Sequence, residues 1–123
     1  VSVYAPGRAA FPFHSHRVND ELFYIMEGHG QVRIGNDTHN IKQGDFIGLP
    51  ADSGNAHQIK NTGDQPLKVL ALSSSLSPEV AEYPEIGKIG VLVGKPPMGE
   101  PDERSLRKFF RMDDAVEYWD GVD

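Results

Sequence analysis

The stretch HSHRVNDELFYIMEGHGQVRIG, residues 14–35, carries both the strand pattern and the candidate chemistry of this chain. Val32 and Ile34 alternate with Gln31 and Arg33, the period of two expected of an antiparallel strand with one buried face. The same rule puts Glu21 on one face with Phe23 and Ile25. A carboxylate on an otherwise apolar face requires a partner, because burying an unpaired charge is costly. Just upstream, His14 and His16 stand at i and i+2, so on a strand both imidazoles share a face and can reach one ion.

Working outward, short apolar runs alternate with turn clusters from Val1 to about Leu72, with almost no helical periodicity. Strands are predicted at Val3-Tyr4 and over 22–27, 31–34, 38–41, 46–49, 57–60 and 67–72. The turns between them, such as Gly28-His29-Gly30, Gly35-Asn36-Asp37 and Pro50 to Asn55, are rich in residues that accept turn geometry. This spacing predicts an all-β sandwich or barrel. Residues 1–74 read as the barrel and 75–123 as a C-terminal arm, broken by Pro78, Pro84, Pro96, Pro97 and Pro101. Within the arm, strands are expected over 88–93 and 107–111, and a short terminal helix over 113–119 capped by Asp113 or Asp114.

Composition narrows the function classes. There is no cysteine, which removes disulfides, thiolate catalysis and thiolate-bound zinc. The net charge of −6 lacks the basic stripe that a phosphate backbone requires, so nucleic acid is not an expected partner. No apolar run approaches the length of a membrane span, and the first residues carry no signal region; a cytoplasmic location without membrane association is the expectation. The acidity is uneven: residues 1–74 hold six basic and seven acidic side chains, residues 75–123 six and eleven.

His57, with Ile59 on its face and Asn61 in the following turn, completes a candidate set with His14, His16 and Glu21. Three neutral imidazoles and one carboxylate suit a borderline divalent cation such as Fe, Mn, Ni, Co, Cu or Zn, and suit calcium or magnesium poorly. His29 and His39 fall outside this pattern and are expected at the surface.

These residues stand in the order of two known motifs. Gly7, His14, His16, Glu21 and Gly28 match the first cupin motif, with six residues instead of five after the initial glycine. Gly44, Pro50, Gly54, His57 and Asn61 match the second, except that Ala51-Asp52-Ser53 replaces a single residue between the proline and the glycine. The chain therefore resembles the cupin superfamily over about half its length. The resemblance implies a double-stranded β-helix, or jelly-roll barrel, with His14, His16, Glu21 and His57 holding one divalent transition metal ion near its mouth. A barrel that has kept these residues without using a metal is the other reading.

Four protein ligands leave one or two coordination positions open, so a small-molecule substrate or ligand is expected. The resemblance implies an enzyme of dioxygenase, decarboxylase or isomerase type, or else a non-catalytic module that binds a sugar or organic acid. No lysine or second carboxylate stands at a spacing that places it beside the metal, and alternation turns Tyr24 and Arg33 away. Phe109-Phe110 and Tyr118-Trp119 are expected to pack the arm onto the barrel or onto a second copy in a homodimer, in preference to lining a pocket.

Overall fold

The computed structural model describes residues 1–94 and 99–123; Pro96 and Pro97, read above as chain breakers, lie outside the described residues. Among the described residues eleven strands follow one another: β1 (Ser2–Tyr4), β2 (Ser15–His16), β3 (Glu21–Glu27), β4 (His29–Ile34), β5 (Asp37–Lys42), β6 (Phe46–Leu49), β7 (His57–Lys60), β8 (Leu67–Ser73), β9 (Glu79–Tyr83), β10 (Lys88–Val93) and β11 (Leu106–Arg111). All pairings are antiparallel, in the orders β1-β8-β3-β6, β11-β10-β9-β2 and β5-β4-β7. Backbone bridges at Ala9 with Lys60 and His14 with His57 join the last two sheets edge to edge. The result is a jelly roll of two facing layers in which the hydrogen-bond ladder does not close into a continuous ring.

The core lies between β3, β6 and β8 on one side and β4, β5 and β7 on the other, built from Phe23, Ile25, Val32, Ile41, Ile47, Leu49, Ile59, Leu67 and Val69. Alternation explains the membership, since Phe23 and Ile25 are two apart, as are Ile47 and Leu49. Ile25 and Ile59 are wholly buried, and each such side chain contributes roughly 1.5–3 kcal/mol. The glycine that closes the first motif has a steric reason: Gly28 has φ +86°, and a Cβ there would lie 2.6 Å from the Pro66 carbonyl oxygen. Asn61, fully buried, donates to the carbonyls of Tyr4 (2.9 Å) and Gln65 (2.8 Å) and accepts from Gly63 N–H (2.9 Å). The second motif's asparagine thus ties the end of β7 to β1.

Two strands were not predicted, β2 and β9, and they pair with each other, Ser15 with Glu82 and His16 with Ala81. Residues 79–93, expected within an arm, therefore supply two strands of a sheet that includes a ligand-bearing strand. The predicted terminal helix does not form: only a 3-10 turn covers Met112–Asp114, and every residue from 112 to 123 is exposed. Val116 and Trp119 have helical spacing but face no surface of their own chain to bury against, so amphipathicity stabilises nothing there. His29 and His39 are exposed, as expected. Among the described residues, no helix is long and apolar enough to cross a membrane.

Candidate metal centre

His14 and His57 lie directly opposite one another. His14 N–H donates to the His57 carbonyl at 3.1 Å and His57 N–H to the His14 carbonyl at 2.8 Å, so the two rings emerge on one face. His16, two residues on, shares that face and is held by β9. Glu21 comes from the facing layer, at the start of β3 between Leu49 of β6 and Ser73 of β8. The departure in the second motif is absorbed by a turn with positive φ at Asp52 and Gly54. Its Asp52 N–H donates to the His16 carbonyl at 2.9 Å, so the two extra residues leave His57 in register.

One ligand atom from each of His14, His16, Glu21 and His57 can be chosen so that all lie within 4.8 Å of one another. His14 Nδ1–H donates to the Pro12 carbonyl at 2.7 Å, which leaves Nε2 as a lone pair 3.0 Å from His16 Nε2. Glu21 Oε1 contacts His16 Nε2 and lies 4.0 Å from His14 Nε2, while Oε2 is 3.4 Å from His57 Nε2. His57 Nε2 is buried without a hydrogen bond. Convergent ring nitrogens, one of them orphaned, fit a cation better than they fit each other. Metal–nitrogen bonds of about 2.1 Å at right angles separate two nitrogens by roughly 3 Å, the His14–His16 spacing.

The local fields favour the ligating forms at two of the four groups and oppose it at a third. For Glu21, burial acts against ionisation, but the favourable interactions with the nearby His16 and His57 rings outweigh it and hold the carboxyl at about 2. Burial lowers the His14 pKa, with the neighbouring His57 and His16 adding to it, so that ring stays neutral. His16 is different: burial pulls its pKa down, yet the bond and charge of Glu21 and the charge of Glu79 raise it overall. In the metal-free protein a proton on His16 thus occupies part of the place a cation would take.

His14, His16 and Glu21 line one end of a cavity of about 460 Å³, walled by Phe11, Phe23, Leu72, Tyr83, Leu92 and Phe109, with Ser73 and Ser75 among its polar groups. Phe11 meets the His14 ring edge-on at 4.9 Å, and Tyr83 stacks on the same ring at 5.7 Å. Burial and the charge of Glu21 raise the Tyr83 pKa, keeping it a phenol. Phe109 corrects the expectation set by sequence: although partly exposed like Phe110, Tyr118 and Trp119, it alone of the four lines this cavity, beside Tyr83 at 5.9 Å. As expected, Tyr24 and Arg33 turn away, Tyr24 onto Phe46 and Arg33 over Phe13 and toward Glu85. Sequence reasoning missed Glu79 and Tyr83, which lie outside both motifs; the alternation Glu79, Ala81, Tyr83 was the available signal.

A fold of two facing antiparallel layers with an inward His-x-His, a glutamate and a third histidine defines the class. The chain belongs to the cupin family, whose cupin domain model matches residues 1–73. It is 38% identical over 60 residues to an uncharacterized protein of Methanocaldococcus jannaschii, covering 49% of this chain and 46% of that one. It is 34% identical over 67 residues to an oxalate-binding protein of Thermotoga maritima, covering 54% of each. The chain thus spans about half the length of these curated relatives. A solved structure from Acidithiobacillus ferrooxidans, described as a candidate sugar phosphate isomerase, superposes with a TM-score of 0.77 at 26% identity, covering 94% of this chain and 67% of the other.

Proposed function

We propose that this cupin holds one divalent transition metal ion (Fe, Mn, Ni or Zn) on His14, His16, Glu21 and His57, and acts there as an enzyme on a small oxygenated substrate. The observation that carries the reading is the convergence of three imidazole nitrogens and one ionised carboxylate beside an open, largely apolar cavity. Bound there, the ion supplies Lewis acidity toward a carbonyl, carboxylate or hydroxyl oxygen. The chain's own residues do the rest. Phe11, Phe23, Leu92 and Phe109 exclude water, Ser73 and Ser75 offer hydroxyls, and Tyr83 holds a proton at its phenol oxygen.

Among the described residues, no lysine or arginine lines this cavity. A ligand with one oxygen-bearing head for the metal and an apolar remainder therefore fits better than a sugar phosphate or a second free carboxylate. Dioxygenase, decarboxylase and isomerase chemistry all remain within that description. A second reading, non-catalytic capture of an organic acid, is favoured by one feature: beyond the four ligands, Tyr83 is the only titratable cavity-lining group besides Tyr4 among the described residues. The name of the Thermotoga maritima relative, an oxalate-binding protein, points the same way.

The experiment is to load the metal-free protein with Fe(II), Mn(II), Ni(II) and Zn(II) in turn and follow oxygen uptake and product formation against 2-oxo acids, 1,2-diols and aromatic monocarboxylates. Turnover with any metal supports the enzyme. Tight ligand binding without turnover selects the binding module. The reading extends to assembly, with two copies associating through residues 112–123, where Val116, Tyr118 and Trp119 expose apolar surface.

A further inference from the structure

Glu79 is the most deeply buried carboxylate among the described residues, 1% exposed, and it lies beyond the part of the chain that matches the cupin domain. Such a burial needs a reason. Four N–H donors supply part of it: Val18 N–H (3.0 Å) and Val80 N–H (2.8 Å) on Oε1, and Asn19 N–H (2.9 Å) and the Asn19 side-chain amide (2.6 Å) on Oε2. Asn19 is itself buried, donates to the Leu76 carbonyl at 2.9 Å and accepts from the Ser74 hydroxyl at 2.9 Å. The turn so fastened, residues 17–20, is the link between two ligands, His16 and Glu21.

The fifth neighbour of this carboxylate is His16 itself. Its Nδ1 is buried and lacks a hydrogen bond within ordinary limits; Glu79 Oε2 stands 3.4 Å away. An ionised carboxylate offers about four lone-pair sites, and four donors already use them, which accounts for the long fifth approach. Nε2 of the same ring points to the other ligands. His14 meets the equivalent need with a backbone acceptor, the Pro12 carbonyl. Among the described residues, His16 Nδ1 has only Glu79.

We propose that Glu79 is a positioning residue of the metal centre: its carboxylate keeps the proton of His16 on Nδ1, aims Nε2 at the ion, and clamps the turn that spaces His16 from Glu21. The proposal rests on the metal-centre reading above. A carboxylate behind a ligating histidine fixes ring orientation and tautomer, and its loss typically weakens metal binding about 10- to 100-fold. The C-terminal segment thereby completes a site whose ligands all lie in the first half of the chain.

Two measurements test this on the full chain, with zinc as the probe. Nitrogen-15 NMR of the histidine rings in the zinc-loaded protein should show His16 protonated at Nδ1 and metallated at Nε2. Glu79→Gln should still bind one zinc per chain, about 10- to 100-fold more weakly in competition with a chromophoric chelator, with an unchanged far-ultraviolet spectrum. Because the substituted amide would face four N–H donors, the variant can fail to fold; the ring spectrum of the unaltered protein then decides by itself. One bound zinc with His16 metallated at Nδ1, or a folded Glu79→Gln with undiminished affinity, overturns the role of Glu79 while leaving the metal centre standing. An unaltered protein that takes up no zinc overturns both.

Discussion

His14 and His57 are a hydrogen-bonded antiparallel pair, exchanging both backbone bonds at 3.1 and 2.8 Å, so the segment before β2 and the start of β7 fix two candidate ligands by main-chain geometry alone. The pair also joins two of the three sheets. A site built on such a ladder changes little when its side chains are replaced, which makes it suitable for deletion experiments.

Replacing His14 and His57 together by Ala should abolish stoichiometric metal while leaving the strands paired. Elemental analysis of protein purified without added metal or affinity tag gives the content. Melting with and without zinc gives the energetic counterpart: at about a thousandfold excess over the dissociation constant, the ion should stabilise the unaltered protein by roughly 4 kcal/mol and the double variant by nothing. Metal that persists in the variant would place the site elsewhere.

The same four residues set two pH dependences of opposite origin. In the metal-free protein the Glu21 pKa is depressed from 4.5 to about 2 by His16 and His57 acting against burial. A depressed carboxyl contributes stability that is present above 4.5 and lost as pH falls from there toward 2, on the order of 2 kcal/mol after allowance for partial solvent access. Urea midpoints of the metal-free protein across that window check the sign. Metal affinity moves at higher pH. Because the His16 pKa is raised above 6.5, its proton competes with the ion first, and affinity should fall about tenfold per pH unit below that raised value. His14, lowered by burial, joins only further down.

Much of this is legible in the sequence itself. His14, His16, Glu21 and His57 could be assigned to shared faces because alternation is strict, and all seven strands predicted before residue 75 match the observed ones to within two residues at each end. What escaped has physical causes. Glu79 reads as a surface residue because its neighbours Glu82 and Glu85 are, and the donors that make its burial tolerable, Val18 and Asn19, are far away in sequence. β2 has two residues and exists only through its pairing with β9, so it carries no local signal of its own. Phe109 and Phe110 look alike in sequence; only the pairing of β11 with β10 decides which ring meets the cavity.

Tyr83→Phe separates the two functional readings. The ring still stacks on His14 and the cavity keeps its shape, while the one phenolic proton beside the candidate ligands is lost. If the protein is an enzyme that uses this proton, kcat should fall about 10²-fold or more, with metal content and melting temperature unchanged. In a binding module the same variant loses at most one hydrogen bond to the ligand, roughly tenfold in affinity.

Removal of residues 112–123 tests association. This segment exposes every residue and carries five acidic and no basic side chains, and Met112 N–H ties its start to the body at the Gly87 carbonyl, 2.8 Å away. Apolar groups such as Val116 and Trp119 on so open a segment are stable in water only at the cost of solvent-exposed surface that a second copy would cover. Sedimentation should therefore find the full chain dimeric and the shortened chain monomeric, with metal content unchanged, since neither the four ligands nor Glu79 is removed. Cutting after Ser77 should behave differently. It deletes β9, leaving Ser15 and His16 unpaired, and the turn between His16 and Glu21 loses the carboxylate that fastens it, so metal affinity should collapse even where the core of β3, β6 and β8 survives.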